Sequence, residues 1–365
     1  MEINYKRRWD QIASNLDDKG AFIASLPGNT RYLGNSESPP GSPPGSTMNF
    51  VIIQKNEEPI AITSSLEEHR CKEEASIKDI KCWTIYPDIK SEGKTALDVL
   101  KKTLIENKID NIYSDTKLRL GRSIKSTLSN YVTEMRGIKT EDELERIKKA
   151  VKQSDAGQEF AKNLVECGEK LTEKEVRAEI DYFMARKGIQ ENSFSTIIAS
   201  GPNSAHSHHS NTDRKLKKGD SVICDFGVFW DGYCSDITRT YFVGGETSEK
   251  MKGIYNIVLD ANKRSISALT EGKSGHLVDK AGRDYIRKKG YGENFVHGTG
   301  HGFGLEIHEF PSITYKSKVI AKDSMAVTIE PGIYVPGKGG VRIEDDVLVN
   351  GDKPNILTKA EKELY

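Results

Sequence analysis

Val222-Ile223-Cys224-Asp225-Phe226-Gly227, then Asp231-Gly232, then Ser235-Asp236-Ile237-Thr238-Arg239-Thr240-Tyr241: how these pieces join decides the fold of this 365-residue chain. The first piece reads as a buried strand interrupted by one carboxylate. Asp-Gly between two such runs is a strong signal for a two-residue hairpin turn. The last piece is then the returning strand. A turn centred on Asp231-Gly232 sets Asp225 opposite Thr238 and makes Asp236 its diagonal neighbour. Both carboxylates share one face of the ribbon, about 7–8 Å apart at Cβ. Two acids buried that close repel, and one takes up a proton unless cations sit between them.

A second hairpin repeats the design. Ala326-Val327-Thr328-Ile329-Glu330-Pro331 reads as a strand, Pro336-Gly337-Lys338-Gly339-Gly340 as a turn, and Val341-Arg342-Ile343-Glu344-Asp345 as the return. Parity puts Glu330 and Glu344 on one face. Between the hairpins, Gly298, Gly300, Gly302 and Gly304 alternate around His301, and without side chains there a backbone or ligand can come close. Asp225, Asp236, Glu330 and Glu344 with His301 form a coherent ligand set for two divalent cations, manganese, cobalt, iron or zinc. Two ions about 3.5–4 Å apart can activate a water for hydrolysis. Seven of the eight histidines follow residue 205, and six fall in 206–209 and 297–308. His69 and His276 stand apart and read as surface residues.

Outward from this core, Thr140 with Glu143 and Thr172 with Glu175 have the spacing of helix-capping boxes. Leu144, Ile147 and Val151, then Val176, Ile180 and Phe183, follow a helical period, with Gly188 as a stop. After Gly188 the text is mostly strand-like until a helical stretch near 250–270. Each half therefore runs from helices to a hairpin bearing two acids. Residues 1–135 read as a separate, smaller α/β unit in which Phe50–Ile53 and Ile60–Ile62 are strands. Ser38–Ser46 holds four of the twelve prolines and reads as a surface loop. Gly93-Lys94-Thr95 and Gly272-Lys273-Ser274 look like ends of phosphate loops, but the required earlier glycine is Asp88 in one and Ser267 in the other.

Lys plus Arg equals Asp plus Glu at 54 each, which leaves no bulk drive toward nucleic acid or anionic membranes, and neither is expected as a partner. No run has the length of a membrane span, and Met1-Glu2-Ile3-Asn4 does not open like a signal peptide. The five scattered cysteines contain no Cys-x-x-Cys pair, which fits a reducing, cytoplasmic setting.

Taken together, Asp225 to Asp236 with Ser235-Asp236-Ile237-Thr238-Arg239-Thr240, Gly300-His301-Gly302-x-Gly304, Thr328-Ile329-Glu330-Pro331-Gly332 and Arg342-Ile343-Glu344 resemble the pita-bread metallopeptidases, in particular the Xaa-Pro peptidase branch of prolidase and aminopeptidase P. The match covers about 140–350. It implies an α+β chain with a catalytic pita-bread domain over 138–365 behind an N-terminal domain over 1–135, which shares only the Asn29–Gly34 stretch with that branch. The implied activity is hydrolysis of the bond before proline in a short peptide with proline second. Chain length favours an Xaa-Pro dipeptidase. The alternatives are an Xaa-Pro aminopeptidase acting on longer peptides and a non-catalytic pita-bread binding protein. The resemblance further implies that Asp236 and Glu344 bridge the two metals and that Glu330 is the general base. His208, at the end of Asn203-Ser204-Ala205-His206-Ser207-His208, and His308 would contact the substrate, with His297 and Arg342 as supports. A homodimer is implied as well. Ser312 departs from the pattern: some dipeptidases of the family carry an arginine just after His-Glu-x-Pro, to hold the substrate's free carboxylate.

Overall fold

The computed structural model describes residues 2–36, 47–121 and 124–363. The proline-rich Ser38–Ser46 lies outside them. The chain divides into two compact units, Met1–Arg136 and Gly137–Tyr365.

In the first unit the elements run α1 (Tyr5–Ala13), β1 (Gly20–Ala24), α2 (Pro27–Gly34), β2 (Met48–Gln54), β3 (Ile60–Ser64), α3 (Glu68–Glu74), β4 (Asp79–Trp83), α4 (Ala96–Glu106), β5 (Asn111–Ser114), β6 (Lys125–Leu128) and α5 (Tyr131–Gly137), the last ending at the boundary. The strands form one mixed sheet in the order β4-β3-β2-β1-β5-β6. Ile23, Ile52 and Ile62 of the sheet are buried together with Val99, Leu100 and Leu104 of α4. The Asn29–Gly34 stretch is the body of α2. Its Asn29 donates to Asp115 at 3.0 Å and accepts from Arg136 at 3.0 Å.

The second unit begins with α6 (Glu141–Cys167) and α7 (Glu173–Arg186), and both capping boxes form as the spacing predicts. Gly188 follows α7 at φ 78°, a conformation open to glycine at little cost. Then come β7 (Glu191–Asn192), β8 (Ile197–Ser200), β9 (Ser221–Phe226), β10 (Val228–Trp230), β11 (Tyr233–Cys234) and β12 (Ile237–Phe242). Next follow α8 (Glu249–Ala268) and α9 (Gly275–Lys288). The chain finishes with β13 (Gly300–Gly302), β14 (Glu309–Ile313), β15 (Ala326–Ile329), β16 (Gly332–Val335), β17 (Gly339–Arg342), β18 (Asp345–Leu348) and β19 (Asn355–Ile356).

The helical signal in the sequence covers only the α8 region, and α9 is an addition. Its glycines, Gly275 and Gly282, are poor helix formers. Gly282 is there for packing, since a Cβ would lie 2.5 Å from Ser265 Oγ of α8. Ser274, the residue in the false phosphate loop, caps α9 by accepting from Leu277 N.

Alternation does the rest. On β9, Val222, Cys224 and Phe226 join the core made with Val176, Ile180 and Met184 of α7. The intervening Ile223 and Asp225 must therefore face the other way. On the second hairpin, Ile333, Val341 and Ile343 pack with Ile254 and Val258 of α8 and Ile286 of α9. Each helix pair thus covers the back of one hairpin.

Candidate active site

The turn at Asp231-Gly232 has φ of 47° and 80°, the primed geometry that matches strand twist. It sets the expected register: Thr238 pairs with Asp225, and Ile237 with Phe226. In the second hairpin Ile329 pairs with Asp345 and Gly332 with Arg342. The same register on both sides puts Glu330 opposite Glu344, where β15 gives way to β16 and β17 to β18. Thr238 ties the hairpins together. Its Oγ1 donates to Glu344 Oε2 at 2.7 Å and accepts from Arg342 Nε at 3.1 Å, while its carbonyl accepts from Glu344 N at 3.0 Å.

The alternating glycines are explained mainly by strand approach. A Cβ on Gly300 would lie 1.8 Å from the Thr328 carbonyl oxygen, and one on Gly302 2.3 Å from that of Phe310. This closeness brings β13 against its neighbours and sets His301 beside the acids. His301 Nδ1 hydrogen-bonds to the Gly302 carbonyl at 3.1 Å, which makes Nδ1 the donor and leaves the Nε2 lone pair free. Nε2 faces Asp236 Oδ2 and Glu330 Oε1, each at 3.6 Å.

These residues meet in a cavity of about 370 Å³ that is lined by Asp225, Asp236, His301, Glu330 and Glu344, and also by His208, His297, His308 and Arg342. All the sequence-selected site residues are therefore brought together. The electrostatics are those of an unbalanced acidic floor. Burial first, and then neighbouring acids, push the carboxyls of Asp236 and Glu344 well up, with Glu344 heading the neighbours of Asp236 and Glu330 those of Glu344. Burial also raises Glu330, to about 8, against the pull of Arg342. Oxygen or nitrogen atoms of Asp236, His301 and Glu344 lie within 4.8 Å of one another. Asp225 Oδ1 is buried with no hydrogen-bond partner. Repelling acids, an orphaned oxygen and a free imidazole lone pair fit a cationic occupant.

The supports have distinct places. Arg342 is buried, pairs with Asp225, and donates to Tyr334 Oη at 2.9 Å and to the Ser207 carbonyl at 3.1 Å. Tyr334 Oη in turn meets His297 Nε2 at 2.8 Å, and His297 Nδ1 meets the Gly298 carbonyl at 2.7 Å. Burial, and then Arg342, hold His297 down at about 3, so it is a neutral relay in the wall. His308 is exposed, its ring centre 4.3 Å from that of His301, and desolvation in the cavity lowers it too. His208 is exposed at the cavity edge. Of its neighbours, His206 is exposed and His209 turns away to bond Glu173 at 2.8 Å. His69 and His276 are exposed, as their isolation in the sequence suggests. Ser312 pairs in register with His301 and lines the cavity.

Sequence reasoning misses three contributors. Thr238 was within reach, since the hairpin register already sets it opposite Asp225. Tyr334 and Glu173 carry no local signal, because their partners lie far along the chain. Asp346 is a further buried acid: its Oδ2 accepts from Asp236 N at 3.0 Å.

Residues 145–351 match the model of metallopeptidase family M24. The chain is 35% identical over 365 residues to the Xaa-Pro dipeptidase of Pyrococcus furiosus, covering 98% of this chain and 99% of that one. Among solved structures it is similar to the Xaa-Pro dipeptidase from Bacillus anthracis, with TM-score 0.85, 34% identity and 99% of each chain covered. It is also similar to the X-Pro aminopeptidase from Thermotoga maritima MSB8, with TM-score 0.80, 31% identity, and 98% and 99% covered. The chain belongs to metallopeptidase family M24. It is a metal-dependent hydrolase with the α+β pita-bread fold. Among the described residues no helix is long and apolar enough to cross a membrane.

Proposed function

We propose that this cavity hydrolyses the peptide bond preceding proline in short peptides, as an Xaa-Pro dipeptidase. The observation that carries the reading is the convergence of Asp225, Asp236, His301, Glu330 and Glu344 on one cavity floor. These five would hold two divalent cations of the manganese, cobalt, iron or zinc group. Bound there, such ions supply Lewis acidity that polarises the scissile carbonyl and lowers the pKa of water. Glu330, whose side chain is 20% exposed and so reaches the cavity, takes the proton of the attacking water on its carboxylate and passes it to the leaving nitrogen. His308 and His208 donate N–H bonds to the oxygen that gains charge. Arg342 orients Asp225 through their buried pair. The relatives' activity supports the proline preference: an Xaa-Pro bond lacks an N–H, so general peptidases that grip the amide handle it poorly.

A second reading is favoured by one feature. Among the described residues lining the cavity, Arg342 is the one permanent cation, and it is committed to Asp225 and Tyr334. Ser312 offers a hydroxyl where a cation would hold a dipeptide's free carboxylate. This favours aminopeptidase action on longer peptides. Parallel assays of Ala-Pro and Ala-Pro-Ala with manganese or cobalt decide between the two. Cleavage of Ala-Pro supports the dipeptidase, and cleavage of the tripeptide alone supports the aminopeptidase. No cleavage of either, in protein shown to hold metal, contradicts both.

A further inference from the structure

We infer that Glu173, outside the cavity, is a positioning residue that sets the place of His208. This rests on the proposed contact of His208 with the substrate.

Glu173 is the first residue of α7, and its side chain is fully buried. Its two oxygens divide their work between the two ends of the segment that carries His208. Oε1 accepts from Ser200 N at 2.8 Å, Ser200 Oγ at 2.7 Å and Asn203 Nδ2 at 3.0 Å, all at the entry of the segment. Oε2 accepts from Thr212 N at 2.9 Å, Thr212 Oγ1 at 2.6 Å and His209 Nε2 at 2.8 Å, all at its exit. One carboxylate thus clasps both ends of a thirteen-residue excursion, Ser200 to Thr212. Helix backbone adds to the clasp, with Glu173 N donating to the Arg214 carbonyl and Lys174 N to that of Thr212. The middle of the excursion is tied to the cavity by the bond from Arg342 to the Ser207 carbonyl.

The arrangement makes chemical demands that only a carboxylate meets. Every partner is a donor, two of them backbone N–H groups with no freedom to turn. A glutamine in the same place offers one accepting oxygen and one NH2. Whichever way it lies, one end of the clasp loses its acceptors and meets N–H with N–H. A buried, unanswered amide is costly, so that end of the segment moves. His208 sits next to His209, one of the clasped donors, and a shift of about 1 Å in a substrate-contacting group costs on the order of 10²-fold in rate.

The test is a double-mutant cycle on an Xaa-Pro peptide at saturating manganese: Glu173→Gln, His208→Ala and the pair, with manganese content and thermal midpoint recorded for each. Glu173→Gln is expected to lower kcat/KM at least about tenfold with manganese content unchanged, and to have no further effect once His208 is alanine. Thr212→Val, which removes one donor from the exit, is a milder probe that keeps the fold if Glu173→Gln loses it. It should give a loss of a few fold that likewise disappears in the His208→Ala background. Losses that multiply with that of His208→Ala, or an undiminished rate in both Glu173→Gln and Thr212→Val beside a crippled His208→Ala, overturn the role of Glu173 alone. An unimpaired His208→Ala overturns the role of His208, and with it this one.

Discussion

Glu173 at the head of α7 and Glu330 on the cavity floor are both enclosed glutamates of the second unit, and their surroundings drive them in opposite directions. Burial pushes each toward the protonated form. At Glu173 the bonds from Thr212, His209, Ser200 and Asn203 outweigh it and hold the carboxyl at about 2. At Glu330 the pull of Arg342 is too little, and the carboxyl sits at about 8. Burial alone therefore does not decide the state of an acid; the count of donors aimed at it does. Glu173 is complete as an anion within the protein, whereas the Glu330 group awaits positive charge.

The largest expected effect sits at the incomplete group. Glu330→Gln should lower kcat by about 10³-fold or more while the fold persists. The same variant sharpens the contrast when metal is removed. A carboxyl raised in the folded state costs stability as pH climbs from its ordinary value of 4.5 toward 8, because only the unfolded chain releases the proton. Metal-free Glu330→Gln should thus melt higher than metal-free wild type, with a gap that opens over that range. A gap of the other sign would break the comparison.

Glu173 should behave in the reverse way. Its lowered carboxyl stabilises the fold fully above the ordinary 4.5, and that support is lost as pH falls toward 2. The displacement corresponds to about 3 kcal/mol. Thermal midpoints taken from pH 7 to pH 2 should show Glu173→Gln well below wild type at neutrality, with the two converging in acid. Parallel curves would contradict the assignment.

Much of this was legible in the sequence because hairpin chemistry is local. Asp231-Gly232 fixes a turn, the turn fixes a register, and period two fixes which side chains share a face, so Asp225, Asp236, Glu330 and Glu344 could be brought together in pairs from text alone. The capping boxes at Thr140 and Thr172 were equally local. Joining the pairs with His301 rested on the chemistry of the donor set, because contacts spanning a hundred residues leave no periodic trace. The same holds for Glu173, whose partners lie 27 to 39 residues away, and for Tyr334 beneath His297. Helix α9 was hidden because Gly275 and Gly282 serve packing at the expense of helical propensity.

The smallest of the expected effects concerns the link between the hairpins. Thr238→Val removes the hydroxyl shared by Glu344 and Arg342, and should cost about 1–2 kcal/mol in urea unfolding. A neutral result would mean that the two hairpins are held in register by their helices alone.

The convergence of five side chains on a pair of cations is tested most directly by anomalous diffraction from crystals equilibrated with manganese. Two well-occupied peaks enclosed by Asp225, Asp236, His301, Glu330 and Glu344 are expected. A single faint peak, or none with those side chains turned apart, would contradict the account.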